Sequence, residues 1–276
     1  MTEPTWTWPG GKCIAVVFNV CLEAWSDGKA PGINPMGNPL PPQAHDLMAV
    51  SWAAYGVQHG VQRLLGGLEG HGLHACVAVS GLIAQRSPEV VKRVAQGGHE
   101  IVGHGQAMDI VPALLSEEDE RASIEACTTE LRRASGTEVS GWLSPRATPS
   151  AATPRLLAEA GYTWYGDTLA SDLPHIEHFG DRRIVAVPFG TDVNDMPFQK
   201  YGTPPSAMLE AFQQNLDAAR RSGEMLIIDV TTHAHIFGRP RGAYFHEQIA
   251  AAASAADDVW VATRREIAEH ALTTAR

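Results

Sequence analysis

Residues 97–109 read GGHEIVGHGQAMD and carry the clearest structural signal in the chain. A helical pattern runs up to Ala95, and the glycine pair that follows it ends the helix. A short apolar strand over residues 100–102 then leads directly into His104, which has a glycine on each side. An ionisable side chain at the carboxyl end of a buried strand is typical of the active face of an α/β barrel. The stretch therefore predicts a barrel with His104 at its active face.

A second stretch, LIIDVTTHAH at residues 226–235, repeats this pattern. A continuous apolar run of this kind is typical of a strand that is buried on both faces. This strand ends in His233 and His235. Two buried strands that both end in histidines indicate one site and not two unrelated loops.

Strand-like and helix-like segments alternate along the whole chain, with no change of composition that would mark a linker. The strand patterns cover residues 13–20, 75–79, 100–102, 139–143, 163–165, 184–188, 225–230 and 259–261. Helical patterns cover residues 47–68, 87–95, 116–135, 150–160, 206–222, 244–253 and 264–271, and residues 238–242 are expected to break the chain. This alternation predicts one domain over residues 1–276, an α/β fold built as a distorted (β/α)7–8 barrel.

The composition and net charge of the chain argue against some classes of binding partner. The chain has 276 residues, a formal net charge of −10 and no cluster of basic residues, which argues against nucleic acid and anionic membranes as partners. It contains no apolar run of about 20 residues, the length that a membrane-spanning helix needs. The first residues lack the basic and apolar pattern of a secretory signal. The four cysteines have no CxxC spacing. We therefore expect a reduced, cytoplasmic protein.

The predicted strand ends bring together carboxylates, imidazoles and one guanidinium, because the carboxyl ends of parallel barrel strands share one face. These residues are Asn19 and Glu23, His104 and Asp109, Arg146, Asp167 and Asp172, Asp192, Asn194 and Asp195, and His233 and His235. The set lacks the sequence pattern of a serine or cysteine nucleophile with its histidine. It suits hydrolysis by an activated water, in which histidine moves protons and arginine orients a carboxylate.

Five motifs occur in an order that resembles a known family. They are GHEIVGHG at residues 98–105, SPR at 144–146, GDTLASDLP at 166–174, VPFGTDVND at 187–195 and THAHIFGRP at 232–240. Together they resemble the polysaccharide-deacetylase (NodB-homology) superfamily, in particular its allantoinase-like and cyclic-imide-hydrolase-like branch. The resemblance implies a distorted barrel, hydrolysis of a non-peptide C–N bond, and a homo-oligomer, either a dimer or a tetramer.

The resemblance also assigns roles to individual residues. His104 matches the first histidine of the family's metal motif, but Met108 stands where its partner histidine is expected. The family's aspartate pair after the first strand is absent, and Glu23 lies nearby. Arg146 matches the arginine of the third motif, and His233 matches the histidine that is the family's usual proton donor.

These matches give the following expected site. Catalytic roles fall to Glu23, Arg146 and His233. A divalent metal, with zinc as the first candidate, is expected on Glu23, His104 and Asp109, and metal-independent catalysis stays open. Substrate-binding roles are assigned to Trp25, Asp192, Asn194, His235 and Arg239. The histidines outside the motifs, His246 among them, are expected at the surface or already hydrogen-bonded.

The expected function is hydrolysis of a small linear or cyclic amide, imide or ureide. Two alternatives remain: a catalytically degraded barrel that binds a small ligand, and a carbohydrate N-deacetylase. The loop over residues 26–43 is rich in proline and too long for a simple connection, so we expect it to cover the pocket.

Overall fold

The computed structural model describes residues 7–32, 40–41 and 44–274 of the chain. A single ten-stranded sheet runs through this described part. Its strands are β1 (Ile14–Leu22), β2 (Cys76–Val79), β3 (Glu100–Gly103), β4 (Gly141–Trp142), β5 (Trp164–Tyr165), β6 (His175–Phe179), β7 (Arg182–Ala186), β8 (Val193–Asn194), β9 (Leu226–His233) and β10 (Val259–Val261).

The strands lie in the order β6-β7-β5-β4-β3-β2-β1-β9-β8, and β10 pairs with β1. On one side of β1, its first residues pair with β10 and its last residues pair with β2. Every pairing in this sheet is parallel except the β6–β7 hairpin. The sheet curls into a half-barrel, which confirms the predicted distorted barrel.

Helices connect most of the parallel strands. They are α1 (Leu47–Tyr55), α2 (Val61–Glu69), α3 (Gly81–Arg86), α4 (Pro88–Gln96), α5 (Glu117–Ser135), α6 (Thr153–Glu159), α7 (Asp195–Lys200), α8 (Ser206–Ser222), α9 (Pro240–Ser254) and α10 (Arg264–Thr274). One π-helical turn, Gly56–Gly60, joins α1 to α2. Within the described ranges, no helix combines the length and the apolar character needed to cross a bilayer.

The structure differs from the sequence patterns in three places. Pro240 does not break the chain but occupies the first turn of α9, where its missing N–H has no helical partner to lose. The segment between Gly166 and Ile184 contains the strand β6, whose residues are only partly buried and therefore lack the apolar run of a central strand. Residues 189–205, which have no strand or helix pattern in the sequence, contain β8 and α7.

Apolar side chains fill both sides of the sheet. Phe18, Leu64 and Leu131 belong to the layer between the sheet and the helices, and Val17, Val102 and Trp164 belong to the layer inside the curled sheet. All nine residues of β1 are buried. The strand that carries Glu23 at its end is therefore held on both faces, which fixes the position of that end.

Arg264 connects strands across the inside of the half-barrel. Its side chain is fully buried. The guanidinium donates to Asn19 Oδ1 on β1 at 3.2 Å, to Asp229 Oδ2 on β9 at 2.9 Å and to the carbonyl of Val187, after β7, at 2.6 Å. Since β7 and β9 are not neighbours in the sheet, Arg264 links the two sides of the curled sheet. Asn19, expected at the active face, belongs to this interior network.

His246 on α9 is fully buried, which contradicts the surface position expected from the sequence. Its ring packs edge-on against Phe18, and neither ring nitrogen has a hydrogen-bond partner in the described part of the chain. Burial lowers the pKa of His246 from its ordinary 6.5 to about 4. The unfolded chain therefore binds a proton at His246 at a higher pH than the folded chain does.

This difference makes a prediction about acid stability. Between pH 6.5 and about 4 the unfolded state holds the extra proton, so the free energy of unfolding falls as the pH is lowered through this range. At pH 5 the His246 contribution is about 2 kcal/mol. His246→Leu is expected to lose about 2 kcal/mol less of its free energy of unfolding than the wild type when the pH is lowered from 7.5 to 5, as measured by urea unfolding at both pH values. Exposed His45→Leu is the control, and equal pH dependence in wild type and His246→Leu contradicts the prediction.

Candidate active site

Glu23 lies one residue beyond the end of β1 and contacts three histidines. Its Oε1 atom is 3.5 Å from His104 Nε2 and 3.8 Å from His233 Nε2, and its Oε2 atom is 3.7 Å from His235 Nδ1. His104 directly follows β3 and His233 is the last residue of β9, so parallel strands of one sheet bring these side chains to the same edge. Glu23, His104 and His233 are 6%, 5% and 8% exposed.

The charge state of Glu23 follows from these neighbours. Burial alone would raise the pKa of its carboxyl group, but the imidazoles of His233, His104 and His235 outweigh that effect and lower the pKa to about 2. Glu23 is therefore a carboxylate at neutral pH. A group with so low a pKa is a weak base, and its charge serves better to stabilise a neighbouring imidazolium.

His233 is oriented by Asp195, the first residue of α7. Asp195 Oδ1 is 2.6 Å from His233 Nδ1, and Asp195 Oδ2 accepts the backbone N–H of His233 at 2.8 Å. Burial would lower the pKa of His233, but the sulfur of Cys21 and the carboxylates of Asp195 and Glu23 raise it well above its ordinary value. His233 is therefore an imidazolium at neutral pH, with Nε2 as a proton donor near Glu23.

His104 is oriented by a backbone carbonyl. Its Nδ1 atom is 2.7 Å from the carbonyl oxygen of Leu143, and a carbonyl only accepts, so Nδ1 carries the proton. The buried Nε2 atom has no hydrogen-bond partner among the described residues. In the neutral ring this Nε2 presents a lone pair toward Glu23. The glycine after His104 has a φ of +66° and brings the backbone against Pro145, which a side chain at that position would displace.

His235 and two tryptophans form one wall beside Glu23. The His235 ring packs edge-on against Trp52, with ring centroids 4.6 Å apart, and against Trp25 at 5.9 Å. Burial lowers the pKa of His235 to about 4, so this ring is neutral at neutral pH. Trp25, expected from the sequence to bind substrate, thus contacts a neighbour of Glu23.

Of the three residues expected to bind a metal, Glu23 and His104 lie side by side, but Asp109 is bonded elsewhere. Asp109 Oδ1 accepts the backbone N–H of Ser26 at 2.8 Å and holds the loop after β1. Met108, which replaces the family's second metal-motif histidine, is buried, and its N–H bonds the carbonyl of Ala24. In the ranges that the structure describes, no group of three His, Cys, Asp or Glu side chains is arranged to hold a metal ion. The donor set therefore does not fit a three-ligand zinc site.

The structure gives the other expected site residues the following positions and contacts. Arg146 is exposed, and its backbone φ of +57° is a conformation that non-glycine residues seldom adopt. Arg239 is exposed and stacks on Tyr55, with the guanidinium carbon 4.3 Å from the ring centroid. Asn194 caps α7 by accepting the N–H of Met196 at 3.0 Å. Asp192 lines a separate cleft of about 240 Å³ next to β9.

Asp195 was counted among the strand ends, but the sequence assigned it no role in the expected site. Its strand, β8, has only two residues and gives no periodic signal of its own. The useful signal was the dipeptide Asn194-Asp195, in which asparagine caps a helix while the next residue faces β9. A short helix that begins with a capping residue directly after a short strand can therefore bring a carboxylate to the strand ends.

Cys21 lies opposite His233 in the β1–β9 pairing, and its thiol contacts the His233 ring. No histidine lies near Cys21 in the sequence, so this contact was not predicted. Burial raises the pKa of the Cys21 thiol, and the His233 ring does not offset that effect. Because the thiolate is the nucleophilic form, Cys21 is a poor nucleophile near neutral pH.

We therefore predict that Cys21 resists alkylation in the folded protein. Iodoacetamide at pH 7.5 is expected to label the half-buried Cys13 well before Cys21, as measured by peptide mass spectrometry over time. Urea-unfolded protein, in which both cysteines react, is the control. Labelling of Cys21 ahead of Cys13 would show an activated thiol and contradict this account.

Known proteins are similar to this chain over most of its length. The polysaccharide deacetylase family model matches residues 53–165. A putative polysaccharide deacetylase from Mycobacterium smegmatis is 30% identical, with a TM-score of 0.85 and coverage of 99% of this chain and 95% of that chain. A probable polysaccharide deacetylase from Pseudomonas aeruginosa PAO1 is 25% identical, with a TM-score of 0.88 and coverage of 96% and 93%.

A structure described as Puue allantoinase is 24% identical, with a TM-score of 0.87 and coverage of 97% of this chain and 93% of that chain. At this level of identity, the likeness shows a shared fold. No functionally curated protein sequence gives a significant match.

Proposed function

This chain belongs to the polysaccharide deacetylase family, a family of hydrolases, and from that premise we propose that it hydrolyses a non-peptide C–N bond in a small amide, imide or ureide. The observation that carries the proposal is the cluster of Glu23 with His104 and His233 at the carboxyl edge of the sheet. Amide hydrolysis needs a base for water and an acid for the leaving nitrogen. We assign the role of the base to His104 and the role of the acid to His233.

His104 serves as the base. Its Nδ1 proton is committed to the Leu143 carbonyl, so its Nε2 lone pair accepts a proton from water. The Glu23 carboxylate, 3.5 Å away, stabilises the imidazolium that this transfer creates. The attacking water oxygen forms a bond to the substrate carbonyl carbon and gives a tetrahedral oxyanion.

His233 serves as the acid. Asp195 holds its Nδ1 side, so the Nε2 proton points to the same region as Glu23. As the oxyanion collapses, the C–N bond breaks and the leaving nitrogen takes the Nε2 proton. The histidine pair thus returns to its starting state once a proton passes from His104 to His233 or exchanges with solvent.

The depth of the site supports a small substrate. Glu23, His104 and His233 are each under 10% exposed, and Trp25 and Trp52 pack against the adjacent His235. A polymer chain requires an open groove, whereas a small ring or a short chain enters a narrow opening. This geometry favours an imide or ureide over the alternative carbohydrate N-deacetylase reaction.

The proposed reaction uses protein groups and water alone. Because the Met108 thioether is a poor ligand for zinc and Asp109 is bonded to a loop amide, incubation with a chelator followed by desalting is expected to leave the rate unchanged. Loss of activity that Zn²⁺ or Mn²⁺ restores would assign a metal role to Glu23 and His104 instead.

A cytoplasmic location and a dimeric or tetrameric assembly are parts of the proposal, to be tested by fractionation and by light scattering.

Met108 and the missing aspartate pair favour a second candidate, a small-ligand-binding barrel without turnover. One experiment separates the candidates. Succinimide, hydantoin, allantoin and N,N′-diacetylchitobiose are incubated with the wild type and with His233→Asn, and new carboxylate, amine or acetate is measured by mass spectrometry. Ring opening by the wild type alone supports the proposal. Acetate release supports the deacetylase, and binding without product supports the ligand-binding barrel.

A further inference from the structure

Beside Glu23 lies a cavity of about 270 Å³, which we call the Glu23 cavity. Glu23 and Trp25, at the end of β1, form its inner end. Helix α1 and the following π-helical turn supply one wall, and the region of α3 supplies the other. The aliphatic side chains that line these walls are Val50, Ala53, Ala54, Val57 and Ile83.

The charged residues of this cavity are unequally placed. Glu23 is at the buried end, where the reaction is proposed to occur. Arg86 lines the cavity, but its guanidinium is committed to the loop after β1: it donates to the carbonyl of Trp25 at 2.9 Å and to Asp27 Oδ1 at 2.7 Å. Lys29, Gln58 and Ser87 also line the cavity. Lys29, Gln58 and Arg86 are exposed residues, so we expect polar contacts mainly at the mouth of the cavity, whereas its aliphatic side chains offer van der Waals contact.

A polar substituent placed against these aliphatic side chains loses its hydrogen bonds to water without replacing them, whereas an apolar substituent gains from leaving water. The volume is sufficient, because an apolar cavity of about 150 Å³ binds a benzene ring. It is also below the usual range of about 300–1,000 Å³ for sites that take a whole drug-sized ligand. A single ring or a branched alkyl group matches these limits.

We propose that the Glu23 cavity binds an apolar substituent of the substrate, so that the preferred substrates are imides or ureides with an aryl or branched alkyl group beside the scissile amide. This inference rests on the proposed function. Ala53 and Ala54 set the volume of the cavity, because their methyl groups leave the space that a larger side chain on α1 would fill. They are therefore specificity-determining residues.

The test compares hydantoin with 5-benzylhydantoin. Wild-type kcat/KM is expected to be about tenfold to a hundredfold higher for the benzyl compound, the range that apolar pockets give for added apolar groups. Ala54→Leu fills the cavity and is expected to bring this ratio close to one. Ser51→Leu adds the same side chain on the exposed face of α1 and is expected to keep the wild-type ratio.

A binding measurement keeps this inference separate from the proposed function. Calorimetric titration of wild type and Ala54→Leu with both hydantoins needs no turnover. Tighter binding of 5-benzylhydantoin by the wild type, lost in Ala54→Leu and kept in Ser51→Leu, supports the cavity assignment even if neither compound is hydrolysed. Equal affinity for the two compounds, no binding of either, or an unchanged preference in Ala54→Leu overturns it.

Discussion

His233→Asn is expected to lower kcat/KM by about 10²–10⁴-fold, the range for removing a positioned acid. Asparagine keeps a polar group against Asp195 but carries no proton that it can transfer to a leaving nitrogen. The fold is expected to persist, because His233 lies at the end of β9 and not within the apolar layers. The measurement is the steady-state rate with a hydrolysed imide or hydantoin, with circular dichroism as the check on folding.

Exposed His59→Asn is the control for this loss. Asp195→Asn adds a test that depends on charge. Burial would lower the pKa of His233, and the negative charges around it, including that of Asp195, raise it. The acid form of His233 is lost as the pH rises through that pKa. Removing the Asp195 charge is therefore expected to start the alkaline fall of the rate at a lower pH. An unchanged alkaline limb in Asp195→Asn would count against His233 as the acid.

Glu23→Gln is expected to lower kcat/KM by about 10²–10³-fold, the effect of removing one electrostatic contact to the reacting groups. Glutamine keeps the shape of the side chain but removes the charge that faces His104, His233 and His235. The imidazolium that forms on His104 then has no carboxylate beside it. The loss is expected in kcat more than in KM, because this charge acts after the substrate has bound.

Two comparisons make the Glu23 result specific. Glu69, which contacts the ring of His99 at 3.1 Å outside the candidate site, gives the matched variant Glu69→Gln. It is expected to keep the wild-type rate. Wild-type kcat/KM in Glu23→Gln would remove Glu23 from the reaction and leave it as a structural carboxylate.

The strand ends of the candidate site could be predicted from the sequence because two physical rules act together. Buried parallel strands give continuous apolar runs, as before Glu23 and before His233, and parallel strands end at one edge. These rules bring Glu23, His104 and His233 together without knowledge of the loops. The structure agrees, with three neighbouring contacts of 3.5–3.8 Å around Glu23.

What could not be predicted depends on contacts between distant segments. The partner of His233 is Asp195, which lies 38 residues away on a short helix. His246 occurs in a helix of mixed pattern, and only the packing of α9 against Phe18 shows that it is buried. The position of Asp109 after a glycine-rich strand end predicted a metal ligand, yet its carboxylate accepts a hydrogen bond from the backbone N–H of Ser26. In each case the sequence shows which residue is present, but only the tertiary structure shows which group it contacts.

The central claim is that water, activated at the cluster of Glu23, His104 and His233, cleaves a C–N bond. Reaction of the wild type with 5-benzylhydantoin or succinimide in H₂¹⁸O tests it most directly. The account predicts a ring-opened product with one ¹⁸O in its new carboxylate. It also predicts that His233→Asn forms this product no faster than buffer. Absence of ring opening by the wild type with every imide and ureide tested, or an equal rate in His233→Asn, would contradict the account.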